Sequence, residues 1–205
     1  MRYAFGSWAF LVVALLSKEK AVVLPALLVA MMISIRWAKQ PLWAAQAHSN
    51  DRNDPAATLI FGQVIIVLGY LLVLRPIALG AGIGIGTAPA GNAWTVQWMT
   101  ALAMWPEALA GIFLPLNPST SDVVPIVNSF TEPLVWLGLV LGIGSFVLWI
   151  VLLKTGRGIA AFGLAWLWIA FLPTANLVPM IHARADRYLF LSVCGAILLV
   201  VALAP

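Results

Sequence analysis

The sequence predicts an all-α fold, a polytopic transmembrane helix bundle with about six membrane helices and one interfacial helix. Three observations carry this. Of the 205 residues, 63% are hydrophobic and only 9% are charged, against about 25% charged in a soluble domain. The mean hydropathy is +1.03. Apolar runs recur along the whole chain, parted by short polar breaks. The net charge of +4 is spread out, with no basic run interleaved with aromatics, so nucleic acid is not an expected partner. Lys and Arg read instead as topology signals. The one cysteine, Cys194, can form neither an intrachain disulfide nor a cysteine metal site.

A helix crosses the ~30 Å hydrocarbon core with about 20 apolar residues. Runs 58–80 and 133–153 meet that length. Run 159–173 is shorter, and reaches a full span only by continuing toward Pro179. Run 188–205 is nearly long enough. Runs 3–16 and 21–35 each cover only about 21–23 Å. Joined as one helix they would bury Ser17, Lys18, Glu19 and Lys20 near its middle, so the reading is two short helices meeting at "SKEK". Trp98, Leu102, Trp105, Leu109 and Ile112 recur at helical spacing. With Trp94 they predict an interfacial helix over 98–116, kinked at Pro106. The Gly-rich run 80–91 reads as a linker.

Arg36, Lys39 and Arg52, then Lys154 and Arg157, mark two cytoplasmic connections, and Arg2 puts the N-terminus on the same side. "SKEK", the region 81–132 and "HARADRY" then share the outer face. The chain is read as a single transmembrane domain over 1–205. It ends in "LLVVALAP" without a polar tail and is expected to be a fragment of a larger membrane module.

Polar residues at membrane depth are costly, and mark function by default. Lys18 and Glu19 either snorkel at the interface as a local pair or place a cation toward an anion. Arg75, beside Pro76, either snorkels or reaches a phosphate at the rim. Pro173 and Pro179 break the helix around Thr174 and Asn176, and irregular backbone at that depth needs protein or a wet cavity around it. His182, Arg184, Asp186 and Arg187 follow, and Tyr188 restarts the helix. Asp186 suits a helix cap. Arg187 can hold a phosphate through two parallel N–H groups. No metal-ligand set stands out.

"LLSKEKAVVLPALL", "YLLVLRPIALG" and "FLPTANLVPMIHARADRYLFLSVCG" together resemble the membrane part of the GT-C glycosyltransferases that carry tetratricopeptide repeats. The resemblance is spread over almost the whole chain. It implies transfer of a sugar from a polyprenyl-phosphate carrier to a protein or glycan acceptor on the extracytoplasmic side, in a bacterial inner membrane with the active face periplasmic. It implies Lys18, Arg75 and Arg187 at the donor phosphate. Glu19, Asn176, His182, Arg184, Asp186 and Tyr188 would line the site. The implied donor is a polyprenyl-phosphate-linked sugar, and a divalent metal, though compatible with the resemblance, has no ligand set in this chain. The family's acidic catalytic loop lies upstream of the "LSKE" turn, where this chain has only 1–16, and Phe190 and Ser192 replace its usual Tyr and Pro. The chain alone is therefore expected to be inactive. A lipid-linked sugar flippase, ligase or polymerase, or a non-catalytic membrane subunit, are the alternative readings.

Overall fold

A computed structural model describes residues 2–37, 55–75, 77, 94–114, 126–175 and 189–204. These residues form seven α-helices and no strand. They are α1 (Arg2–Ser17), α2 (Leu24–Trp37), α3 (Pro55–Gly69), α4 (Trp94–Phe113), α5 (Pro133–Lys154), α6 (Gly158–Phe171) and α7 (Phe190–Leu203). Three stretches are long and apolar enough to cross a membrane: Lys20–Trp37, Ala57–Leu74 and Pro133–Lys154. Ala4–Ser17, Gly158–Thr174 and Phe190–Leu203 are apolar but shorter. Of the six expected membrane helices, three are thus long and apolar enough to cross a membrane, and three are apolar but shorter.

The break at "SKEK" is narrower than the sequence suggests. α1 ends at Ser17, whose hydroxyl donates to Val13 O (2.9 Å). Lys18 alone is extended, with φ −157° and ψ 125°. Glu19–Val23 then forms a 3-10 turn that runs straight into α2. Nothing in "EKAVV" forbids helix, and Pro25 falls in the first turn of α2, where its missing N–H costs little. The second run thereby gains enough length to count as a span.

α1 and α3 run parallel. Trp8 Nε1 donates to Leu59 O (3.1 Å), Gln63 Nε2 donates to Ser7 Oγ (2.8 Å), and Leu11 and Leu15 pack on Val67. Gly62 provides the bay for the Trp8 indole, because a Cβ there would run into the ring. Farther along, Tyr70, just past α3, and Ala21 and Val22, beyond the end of α1, all pack on this same Leu11–Leu15–Val67 cluster. The ends of α1 and α3 therefore come together.

α5 and α6 form an antiparallel hairpin. Arg157 N donates to Leu152 O (2.9 Å) and Gly156 N to Leu153 O (3.2 Å). Gly156 sits at φ 75°. This is a Schellman ending, in which a left-handed glycine satisfies the last carbonyls of the helix. α6 and α7 approach more closely than any large side chain would permit. A Cβ on Gly163 would lie 2.6 Å from Leu199 N, and one on Gly195 would lie 2.8 Å from Gly163 O and collide with Leu167 N. Ala160, Ala161 and Ala196 are buried around the crossing. Between helices in a membrane, small residues of this kind let backbones meet and gain dispersion contact.

α2 is antiparallel to α6. Ile33 packs on the cluster of Leu152, Leu153, Ala160, Ala161, Leu164 and Leu199, which surrounds the turn where α5 ends and α6 begins. The 19–23 turn, ten residues earlier, also touches α6, which places it toward the other end of that helix. Two levels follow. The turn end holds 18–23, 70–75, the start of α5 and the end of α6. The far end holds Arg36, Lys154, Arg157 and the end of α7.

α4 is the exception to antiparallel order. Met99 shares a cluster with Val135, Leu102 O lies against Gly138, and Trp105 covers Gly142. α4 therefore runs parallel to the first half of α5. It then packs through Ala108 and Ile112 onto Phe171, Ala175 and Leu189. All these contacts are at the turn end. The sequence stripe of Trp98, Leu102, Trp105, Leu109 and Ile112 is not its most buried face. Met99, Ala101, Ala103, Met104 and Ala108 are, since close approach to Gly138 demands small or flexible side chains. The helix begins at Trp94, four residues earlier than predicted, and continues through Pro106.

Candidate functional site

Of the predicted site residues, Lys18, Glu19 and Arg75 fall in the described residues. Asn176, His182, Arg184, Asp186, Arg187 and Tyr188 lie outside them. Lys18 is exposed and sits on the extended break between α1 and α2. Glu19 opens the 3-10 turn. Arg75 is half-buried and follows a π-helical turn, Tyr70–Leu74.

That turn has a local cause. Arg75 N donates to Tyr70 O, five residues back. Pro76, next in sequence, has no N–H to give to the carbonyl of Leu72, and its ring would press on that carbonyl in an α-helix. A widened turn relieves this pressure. Single π turns of this kind are frequent at functional positions. Here it sets the register of Arg75 at the end of the Ala57–Leu74 span.

Parallel packing of α1 and α3 brings Lys18 and Arg75 to the same end of that helix pair. The third predicted element is tied to this end by its flanks. Thr174, with its hydroxyl bonded to Phe171 O (2.8 Å), and the buried Ala175 close α6. Leu189 opens α7 and shares one buried cluster with Ala175, Ala108 and Phe171. The chain between 175 and 189 therefore departs from and returns to the turn end. All the described carboxylate positions are there too: Glu19 in the turn, Glu107 on α4 and Glu132 before α5. Among the described residues no group of three His, Cys, Asp or Glu could hold a metal.

Sequence reasoning missed the aromatic interior. Trp105 stands against Trp168, with ring centroids 4.8 Å apart, and both meet Phe171 edge-on. Trp105 was read with Trp94 and Trp98 as an interface marker. Trp94 and Trp98 are indeed exposed, but Trp105 turns inward. The available signal was Gly142, which a tryptophan on a neighbouring helix can cover. Next to this stack lies an apolar cavity of about 290 Å³ between α4, α5 and α6.

The described fold is thus a helical bundle with three helices long enough to cross a membrane, and with two of its predicted polar elements gathered at one end. No protein-family model, curated protein or solved structure matches the chain.

Proposed function

We propose that the chain is part of a membrane glycosyltransferase that moves a sugar from a polyprenyl-phosphate carrier to a protein or glycan acceptor on the extracytoplasmic face. The observation that supports the reading most is the common placement of Lys18, Arg75 and the two flanks of segment 176–188 at one end of the bundle. A lipid phosphate needs cations at the membrane rim, on a side that also admits a water-borne acceptor. Lys18 and Arg75 lie at the ends of apolar helices, where headgroups sit. Arg187 is assigned to the phosphate and Asp186, Arg184, His182, Asn176, Glu19 and Tyr188 to the walls of the site on sequence grounds. In this role Lys18 acts as a point charge, while the arginines can offer two parallel N–H donors. The resemblance implies a bacterial inner membrane, and this end is read as periplasmic because Arg36, Lys154 and Arg157 gather at the other end.

The test is donor binding by the full-length enzyme. Arg187→Lys is expected to weaken polyprenyl-phosphate-sugar binding about ten- to a hundredfold, since a charge-assisted hydrogen bond is worth about 1.5–3 kcal/mol. A cation that only pairs with Asp186 on the surface would lose less than about 1 kcal/mol. Unchanged donor affinity in a folded Arg187→Lys protein would remove that residue from the site. Affinity unchanged in Arg75→Gln and Lys18→Gln as well would remove the proposal.

A further inference from the structure

The apolar cavity between α4, α5 and α6 is not used by the reading above. Its walls are Trp105, Phe146, Trp149, Leu164, Trp168 and Leu172, with Gly142 and Ser145 at its α5 side and Ala165 at its α6 side. Ser145 is the one polar side chain among these apart from the indoles, and its hydroxyl donates to its own helix at Leu141 O (2.6 Å). A water needs two to four polar partners to stay in a cavity. Trp105, Trp149 and Trp168 Nε1 are buried without a hydrogen-bond partner, but the surface the cavity exposes is almost wholly apolar, so a water would find no set of partners there. It opens past Phe146 and Leu172, which are 60% and 43% exposed. Phe146 belongs to α5, the longest apolar helix and one with few buried residues.

Depth decides what lies outside that mouth. Along α5, Trp149 is about 7.5 Å and Gly142 about 18 Å from Lys154. Half the hydrocarbon core is about 15 Å. On its α5 side the cavity therefore occupies the inner half of the leaflet on the Lys154 side and reaches the midplane, where chain ends lie and headgroups do not; its α6 wall runs on to Leu172, about 22 Å from Arg157 and past the midplane. At the head of the same leaflet stand Lys154 and Arg157, both exposed and held three residues apart by the Schellman turn. No carboxylate among the described residues is at that end.

We propose that the cavity holds the acyl chain of an anionic phospholipid from the leaflet at the far end, with Lys154 and Arg157 at its headgroup. The chain fills a dry slot at the depth its terminal half reaches. The phosphate and any second negative group meet two exposed cations that no carboxylate among the described residues neutralises. Basic pockets beside membrane helices hold anionic headgroups in this way, and each cation near the surface is expected to favour the anionic lipid about fivefold.

The experiment uses the whole chain in vesicles of phosphatidylglycerol brominated near the chain ends, and in phosphatidylcholine brominated at the same carbons. Bromine quenches nearby tryptophan emission. The expected result is stronger quenching in the phosphatidylglycerol vesicles, carried by Trp105, Trp149 and Trp168. Ala165→Phe, and separately Ser145→Leu, fill the slot and should remove that excess, with helicity measured alongside. Lys154→Gln with Arg157→Gln should bring the anionic lipid down to the level of the zwitterionic one. Equal quenching by both lipids, or an excess that survives both slot-filling substitutions in folded protein, overturns the proposal. So does displacement of the brominated chain by polyprenyl phosphate at low mole fraction, which would give the slot to the sugar carrier. None of these readouts depends on sugar transfer.

Discussion

Gly195→Ala is the sharpest test of how α6 and α7 pack. A methyl on Gly195 would meet Leu167 N, Gly163 O at 2.8 Å and Leu167 Cα at 2.9 Å. These are backbone atoms, so no side chain can swing away. The helices must separate, and contact is lost along a seam that includes Ala160, Ala161, Ala196 and Leu199. Overpacking a well-filled interior costs about 1–3 kcal/mol, and the rigid partners put this case in the upper half. For a chain of this length that lowers the melting temperature by roughly 4–12 °C. Gly144→Ala is the control. Nothing lies within 4 Å of a Cβ there, and alanine is the better helix former by about 0.5–1 kcal/mol. It should leave stability unchanged or raise it. Thermal unfolding in detergent, followed by a thiol-reactive dye on the half-buried Cys194 of α7, reads both. Gly163→Ala should resemble Gly195→Ala. The double variant should fall short of the sum, because the two glycines share one contact. A Gly195→Ala protein that melts with the parent would refute the close crossing.

Gly156→Ala should cost about 1–2 kcal/mol, since φ 75° is unfavourable for any residue with a Cβ; the same melting assay measures it. Gln63→Ala should destabilise the α1–α3 pair by about 0.6 kcal/mol, a typical value for a hydrogen bond between membrane helices. Gln63→Met combined with Ser7→Ala should be nearly neutral, because Gln63 Oε1 is buried without a partner and the pair's removal leaves no orphan. With Cys194 replaced, a single cysteine at Ser49 should react with an impermeant thiol reagent from the cytoplasm only, and one at Ser121 from outside only. Labelling of Ser121 from the cytoplasm would reverse the proposed orientation.

The fold class was legible because composition alone excludes a soluble core, and because a hydrophobic run reports a helix whatever its neighbours are. The ends were less legible. "SKEK" looks like a wide turn, yet one extended residue, Lys18, suffices, since the following five residues have no bar to helix. Pro76 announced a disturbance, but not that it would appear as a π turn before Arg75. The packing was not legible at all. Gly163 and Gly195 are two glycines among sixteen in the chain, and only the crossing distinguishes them from Gly144, which faces open space. The buried face of α4 was misjudged for the same reason. Hydrophobic periodicity weighs Trp and Leu heavily, whereas close helix approach selects Ala and Gly. Of the candidate site, the gathering of Lys18 and Arg75 depends on the parallel run of α1 and α3. Sequence implied that run through alternating topology, and Trp8, Gln63 and Tyr70 provide it in the structure.

The position of α4 connects these features. It follows α5 only from Val135 to Gly142 and then crosses to Phe171 and Leu189. Beyond Gly142, α5 and α6 continue toward the far end without it. Trp105 is the α4 side chain that reaches Gly142, and it forms the upper wall of the apolar cavity. The cavity thus exists because α4 is confined to the turn-end half of the bundle. The same confinement carries Glu107 to the end where Lys18, Arg75 and Glu132 lie. One helix that runs parallel to its successor, instead of antiparallel, therefore gathers polar groups at one end and leaves a dry slot below them. A disturbance of its seat on α5 should reach both. Gly138→Leu, which would drive a side chain into Leu102 O, is the substitution that couples them: the bromolipid signal at the slot and donor binding at the turn end should fall together, while Gly144→Ala leaves both intact.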